Sequence, residues 1–189
     1  MGLETQQILE QIEAAMPSKR QVIQQADLLP AAVLVPIVFR EAGPCFILTK
    51  RTMTVARHKG QISFPGGAGE AEDEDAAATA LREAREEIGL EPNRVRVVGL
   101  LDDYATITGF LITPVLGIVD DSATFEPDPG EVDELFEILL SRFSARGAHG
   151  IVTGAHEGVE RTYHCYTVDG RIVWGATAAI IHSFLSRLR

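Results

Sequence analysis

Phe64-Pro65-Gly66-Gly67, a short acidic loop, and then Arg82-Glu83-Ala84-Arg85-Glu86-Glu87-Ile88-Gly89-Leu90 make up the stretch around which the chain is organised. The first four residues read as a tight glycine turn and the last nine as a helix closed by a glycine. Glu83, Glu86 and Glu87 stand at i, i+3 and i+4 and share one face. At ~100° per residue, Ala77, Leu81, Ala84 and Ile88 gather on a different side, which can pack on a sheet. Like charges at this spacing destabilise a helix by ~0.2–0.5 kcal/mol per pair. A divalent cation reverses that sign, and carboxylate oxygens are the donors that Mg²⁺ and Mn²⁺ prefer. A solvated acidic face is the ordinary role of a glutamate-rich helix. Two features set this one apart: Arg82 and Arg85 are interleaved with the glutamates, and the Gly66-Gly67 entry lets backbone approach a phosphate.

A chain of 189 residues, 46% hydrophobic and 23% charged, suits one substantial globular domain. The net charge of −10 argues against a general binder of nucleic acid or of anionic membranes. It leaves room for a small phosphorylated substrate, because a metal or a local basic cluster can invert the field at one site. Such a cluster is present in Arg51, Arg57, His58 and Lys59, just ahead of the glycine turn. Cys45 and Cys165 lie in apolar, strand-like surroundings and read as small buried hydrophobes in a reducing compartment. Met1 to Thr5 lacks a basic segment leading into an apolar run, and no apolar stretch reaches the ~18 residues that span a bilayer, so the expected location is cytoplasmic.

Outward from the centre, Leu3 to Met16 has the spacing of an amphipathic helix ended by Pro17, within an N-terminal helical extension over 1–30. Its apolar face can cover the domain or join a second copy in a homodimer. Residues 31–189 then read as a single domain. Ala31 to Phe39 is a buried strand in which Pro36 implies an edge or a bulge, and Cys45 to Lys50 pairs with it as a hairpin. Val95 to Leu101 is a strand, Asp102 to Tyr104 a loop, and Phe110 to Val119 a strand interrupted at Pro114. The second half of Glu131 to Ile138 alternates like a strand, and Leu139 to Ala145 is a short helix. Gly147 to Gly158 reads as a flexible loop. Arg161 to Val168 and Arg171 to Trp174 form a hairpin turning at Asp169-Gly170, and Ala176 to Leu188 is a closing helix. Strands with inserted helices predict an α/β sandwich of mixed sheet and flanking helices. His149, His156, His164 and His182 have no metal-ligand spacing among them.

The central stretch resembles the Nudix hydrolase family, whose pattern is Gly, five residues, Glu, seven residues, and Arg-Glu-apolar-any-Glu-Glu-any-Gly-apolar. Arg82 to Leu90 fits the second half. Fourteen residues separate Gly67 from Arg82, one more than the pattern, so Asp73 or Glu74 could fill the isolated acidic position. A narrower resemblance is to the coenzyme A pyrophosphatases of that family. It rests on Leu48-Thr49-Lys50-Arg51-Thr52, His58-Lys59-Gly60-Gln61-Ile62-Ser63-Phe64-Pro65-Gly66-Gly67, the longer spacing, Thr106 to Phe110, Glu131-Val132 and Ile172 to Ala178. Thr52 stands where Ser or Ala is usual, and Ala56 where an arginine is expected, with Arg57 beside it.

The resemblance implies a Nudix-like α/β/α sandwich and hydrolysis of coenzyme A or its derivatives to 3′-phospho-AMP and 4′-phosphopantetheine with Mg²⁺ or Mn²⁺. It implies metal ligation by Glu83, Glu86, Glu87 and the Gly67 backbone, bracing of those carboxylates by Arg82, and a general base in Glu86 or Glu131. Substrate contacts fall to Arg51, Arg57, His58, Lys59, Gly66 and Gly67. Trp174 and Tyr104 could stack on adenine, although packing is the commoner role for each. Two other readings are a Nudix hydrolase of another nucleoside diphosphate derivative such as ADP-ribose, and a silent nucleotide-sensing domain. The latter is disfavoured because all three helix glutamates are present.

Overall fold

The computed structural model describes residues 3–53, 60–156 and 159–188. In chain order the elements are α1 (Leu3–Ala14), β1 (Leu29–Arg40), β2 (Gly43–Arg51), β3 (Ile62–Ser63), β4 (Gly66–Ala68), α2 (Ala76–Ile88), β5 (Val95–Leu100), β6 (Tyr104–Ala105), β7 (Phe110–Val119), β8 (Val132–Leu139), α3 (Leu140–Phe143), β9 (His149–His156), β10 (Val159–Val168), β11 (Arg171–Trp174) and α4 (Gly175–Arg187). A short 3₁₀ turn over Pro92–Arg94 links α2 to β5.

Among the described residues, strands β1 to β8 form one mixed sheet along the path β3-β2-β1-β7-β5, with β4 on β1, β6 on β7 and β8 on β2. Among the described residues only β1 and β7 run parallel, paired from Leu29↔Phe110 to Val38↔Val119. The two-residue period of a strand sorts the core. Leu34, Val38, Cys45 and Ile47 face α2 and its Ala80, Ala84 and Ile88. Val35, Ile37, Phe46 and Leu48 face the opposite layer, which holds α3, α4, β10 and β11 together with Ile12 and Ala15 at the end of α1. The expected sandwich of mixed sheet flanked by helices is therefore the observed one. The apolar face of the first helix covers this core.

Pro36 does not sit at an edge or a bulge. It lies in the interval where β1 exchanges partners, after β4 (Ala31↔Ala68 to Val33↔Gly66) and before β2 (Ile37↔Phe46 to Arg40↔Gly43). Leu34 N–H points to that side and donates to the Pro65 carbonyl at 2.9 Å. Pro36, two residues on, has its missing N–H on the same side, where no ladder requires one. Pro114 likewise leaves β7 continuous, and its carbonyl accepts from Leu101 N at 2.9 Å. Tyr104 belongs to the short strand β6, not to a loop.

A second sheet, β11-β10-β9, was only half expected. The β10–β11 hairpin turns at Asp169 (φ 47°) and Gly170 (φ 75°), both left-handed as a type I′ turn requires. The segment read as a Gly/His-rich flexible loop is strand β9, paired antiparallel to β10 from His149↔Tyr166 to His156↔Val159. Backbone pairing on an exposed edge sustains it without apolar alternation; Ile151 and Val152 are both solvent-exposed. No helix among the described residues is long and apolar enough to cross a membrane.

Candidate functional site

Helix α2 is fixed at both ends by local chemistry. Asp75 caps its start, accepting from Ala78 N at 2.8 Å. Gly89 closes it in the left-handed region (φ 65°), with its N–H on the Arg85 carbonyl and that of Leu90 on the Ala84 carbonyl. Ala80, Ala84, Ile88 and Leu90 are buried against the sheet; the two larger side chains contribute ~1.5–3 kcal/mol each. This burial fixes the helix rotation, and with it the direction of the glutamates.

The glycine turn is anchored from behind by Phe64, buried edge-on against Phe46 with ring centroids 5.4 Å apart. A Cβ on Gly66 would lie 2.6 Å from Val33 Cα, so only glycine lets the turn rest on β1. A Cβ on Gly67 would lie 2.5 Å from Glu83 Cδ. The peptide at Gly67 and the Glu83 carboxylate thus share one small space.

Arg82 organises the acids. Its guanidinium donates to Asp73 (3.1 Å to each oxygen), Glu83 Oε1 (3.0 Å), Glu86 Oε2 (2.9 Å) and the Ala68 carbonyl (2.9 Å). Of the two acids open at the isolated position, Asp73 is the one against Arg82, and it also takes Thr79 Oγ1 at 2.9 Å. These bonds, Arg82's first, hold the Asp73 carboxyl down at about 2. Glu83 is shifted the other way, raised by burial.

Glu87 is the buried acid of the set, with 2% of its side chain exposed. Desolvation pushes its carboxyl up to about 7, against the opposing pull of Arg51 and of the Gly66 N–H. Arg51, at the end of β2, donates to Glu87 Oε1 at 2.8 Å and to Glu131 Oε2 at 3.2 Å. Glu131 is delivered from the other side of the site. Its loop is tied to the end of α2 by Glu126 N on the Ile88 carbonyl and Asp128 N on the Glu87 carbonyl, each at 2.9 Å.

Glu83, Glu87, Glu131, Arg51, Gly66 and Gly67 all line one cavity of about 630 Å³. Its far wall is apolar and aromatic, made by Tyr104, Ile107, Phe110, Tyr163 and Trp174, and the first turn of α4 (Gly175 to Thr177) opens into it. Glu86 does not line the cavity; its exposed carboxylate rests on Arg82. Arg57, His58 and Lys59 lie outside the described residues. Tyr163 also lines the cavity; strand alternation alone does not single it out, because it does not reveal what the residue faces.

His149, His164 and His182 have no ligand-like spacing in sequence, yet the fold places a ligand nitrogen of each within 4.8 Å of the others. They come from β9, β10 and α4, so only the tertiary fold brings them together. The side chain of His156 is outside the described residues.

The chain matches the profile of the NUDIX domain over residues 28–149. It is 40% identical over 167 residues to a protein of Pectobacterium atrosepticum named as Nudix hydrolase NudL, spanning 88% of this chain and 84% of that one. The NudL of Escherichia coli K12 is 37% identical over 151 residues, or 80% and 78% of the two chains. Among solved structures, a Nudix hydrolase from M. smegmatis, RenU, superposes with a TM-score of 0.52 at 21% identity over 61% of this chain and 73% of that one. A MutT/nudix family protein from Enterococcus faecalis gives 0.51 at 15% identity over 89% and 63%. At such identities these two likenesses establish the fold alone.

Proposed function

The chain belongs to the Nudix family of hydrolases, and from that premise we propose that it hydrolyses the diphosphate of coenzyme A or its derivatives, releasing 3′-phospho-AMP and 4′-phosphopantetheine. The observation that carries the proposal is the single cavity that joins the carboxylate cluster to an apolar, aromatic wall. A diphosphate flanked by a nucleoside on one side and a long pantetheine arm on the other matches that division. The Leu48–Gly67 segment, which resembles the coenzyme A pyrophosphatases, supports the same choice of substrate.

Nudix hydrolases depend on divalent cations, and the residues here fit one. The donors are all oxygen, the Glu83 carboxylate abuts the Gly67 peptide, and burial leaves Glu87 a costly charge that a cation would relieve. Glu83, Glu86, Glu87 and the Gly67 carbonyl are the groups proposed to hold Mg²⁺ or Mn²⁺. When bound, the ion would neutralise diphosphate charge and lower the pKa of water.

The remaining work falls to the chain. Arg82 holds Glu83 and Glu86 in place through charge-assisted bonds. Arg51 supplies positive charge inside the cavity, next to Glu87 and Glu131. The first turn of the 13-residue helix α4 turns the positive end of its dipole toward the cavity, which favours a phosphate-rich ligand. Trp174 and Tyr163, edge to face with centroids 6.2 Å apart, offer a wall for an aromatic base. Glu131 lines the cavity and Glu86 does not. Glu131 is therefore the better placed to take the proton of the attacking water as its oxygen bonds to phosphorus and the bridging oxygen leaves with its electron pair.

Product analysis with coenzyme A, ADP-ribose and NADH, each with Mg²⁺ and with Mn²⁺, tests the assignment. Coenzyme A is expected to be cleaved fastest. Brisk cleavage of another member of the panel with coenzyme A left intact would refute the substrate.

A further inference from the structure

The three histidines brought together by β9, β10 and α4 are not among the residues that line the carboxylate cavity. We propose that His149, His164 and His182 form a second metal site, which takes a nitrogen-preferring transition ion such as Zn²⁺ through three imidazole nitrogens.

The geometry is close to that of a bound site. A histidine nitrogen sits about 2.0–2.1 Å from Zn²⁺, so three of them around one ion lie within about 4 Å of each other. Here one nitrogen of each lies within 4.8 Å of the others, and His149 Nε2 and His164 Nδ1 share a 2.9 Å hydrogen bond that an ion would replace. The ring centroids are 4.2 to 5.1 Å apart. The rings are stacked, with 20° to 30° between their planes, so ligation requires the side chains to turn until their in-plane nitrogens meet at one point.

The surroundings do what metal-bound histidines require of their neighbours. Tyr166 Oη lies 3.3 Å from His182 Nδ1, a contact that orients that ring. Tyr166 is itself buried, edge-on to Phe143 at 5.4 Å, and its ring packs 5.0 Å from that of His149. The support is thus part of the core. His149 is exposed, so an ion can enter and water can fill the remaining coordination.

The two sites divide by chemistry. The carboxylate cluster offers only oxygen, suited to Mg²⁺ or Mn²⁺, and the histidines offer only nitrogen, suited to Zn²⁺ and its neighbours in the transition series. An ion on the histidines would tie the three-stranded sheet to α4. Tyr163, adjacent to His164, and Ile180, two residues before His182, both line the cavity, so the ion would stiffen one wall of it.

The test uses the full chain without an affinity tag, stripped with chelator and dialysed into millimolar Mg²⁺ to occupy the carboxylates. Zn²⁺ is titrated by calorimetry, and Co²⁺ is followed by its visible absorption. Wild type is expected to take up one equivalent of Zn²⁺ and to melt at a higher temperature with it. His149→Gln and His164→Gln should each bind at least ~10-fold more weakly, and Glu83→Gln should bind as wild type does. His149 is exposed, so His149→Gln alone decides the matter if His164→Gln fails to fold. No Zn²⁺ uptake in the presence of Mg²⁺, or uptake lost in Glu83→Gln and kept in His149→Gln, would overturn the proposal. Neither result depends on which diphosphate the enzyme cleaves.

Discussion

Arg51 Nη1 lies 2.8 Å from Glu87 Oε1, and through this contact the end of a sheet strand neutralises a carboxylate buried on a helix 36 residues later. The partnership is incomplete. Desolvation outweighs the arginine and leaves Glu87 titrating at about 7, well above its ordinary 4.5. A buried acid that desolvation raises toward neutral pH despite one facing cation, in a cavity with two more carboxylates, is a site with remaining affinity for positive charge.

Between pH 4.5 and 7 the folded protein therefore retains a proton on Glu87 that the unfolded chain has released. Raising the pH through this window removes stability, and the loss is complete above the folded value. Glu87→Gln has no such loss. In metal-free buffer, wild type should weaken relative to Glu87→Gln by up to ~3 kcal/mol between pH 4.5 and 8. Urea unfolding at a series of pH values measures it. Parallel curves for the two proteins would show that Glu87 does not titrate there.

Gly67→Ala places a methyl group against the Glu83 carboxylate. The obstacle is the end of a side chain, which can swing away, so the cost in stability should be small, within ~1–3 kcal/mol. The displaced carboxylate is another matter: a shift of about 1 Å in a catalytic group can cost ~100-fold. A thermal melt lower by roughly 2–12 °C and a kcat lower by about 100-fold are expected. Unchanged turnover would remove Glu83 from the reaction.

Trp174 is 43% exposed yet lines the cavity, an arrangement that leaves an aromatic face for a ligand. Loss of a stacking partner costs ~0.5–1.5 kcal/mol. Trp174→Ala should raise KM for coenzyme A by roughly 2- to 10-fold at ~1.4 kcal/mol per decade, with kcat within about twofold. A fall in kcat at constant KM would assign the tryptophan a different role.

The parts of the molecule that could be read from sequence are those governed by local periodicity. The second half of helix α2 and its closing Gly89 follow from residue spacing alone, as does the hairpin turn at Asp169-Gly170; the glycine turn expected at Gly66-Gly67 is instead strand β4, paired to β1, and α2 begins at Ala76 behind the Asp75 cap. Strand β9 did not, because an exposed edge strand held by backbone pairing to β10 needs no alternation of side chains. Pro36 and Pro114 misled for a related reason: the cost of proline depends on what stands opposite its missing N–H, and that is a tertiary fact. Within the site, Asp73 and Glu74 were indistinguishable until the loop placed Asp73 on Arg82. The histidine cluster was invisible because its members meet only through β9, β10 and α4. Spacing rules detect ligands that share one element, not ligands gathered from three.

The glutamates of α2 are the groups proposed to make diphosphate hydrolysis possible. The most direct test is turnover of coenzyme A by wild type and by Glu83→Gln with saturating Mg²⁺ or Mn²⁺, with products identified by mass spectrometry. Wild type should release 3′-phospho-AMP and 4′-phosphopantetheine. Glu83→Gln, folded as judged by its melt, should be slower by on the order of 100-fold or more, since the lost stabilisation is several kcal/mol. Equal rates in the two proteins would contradict the account.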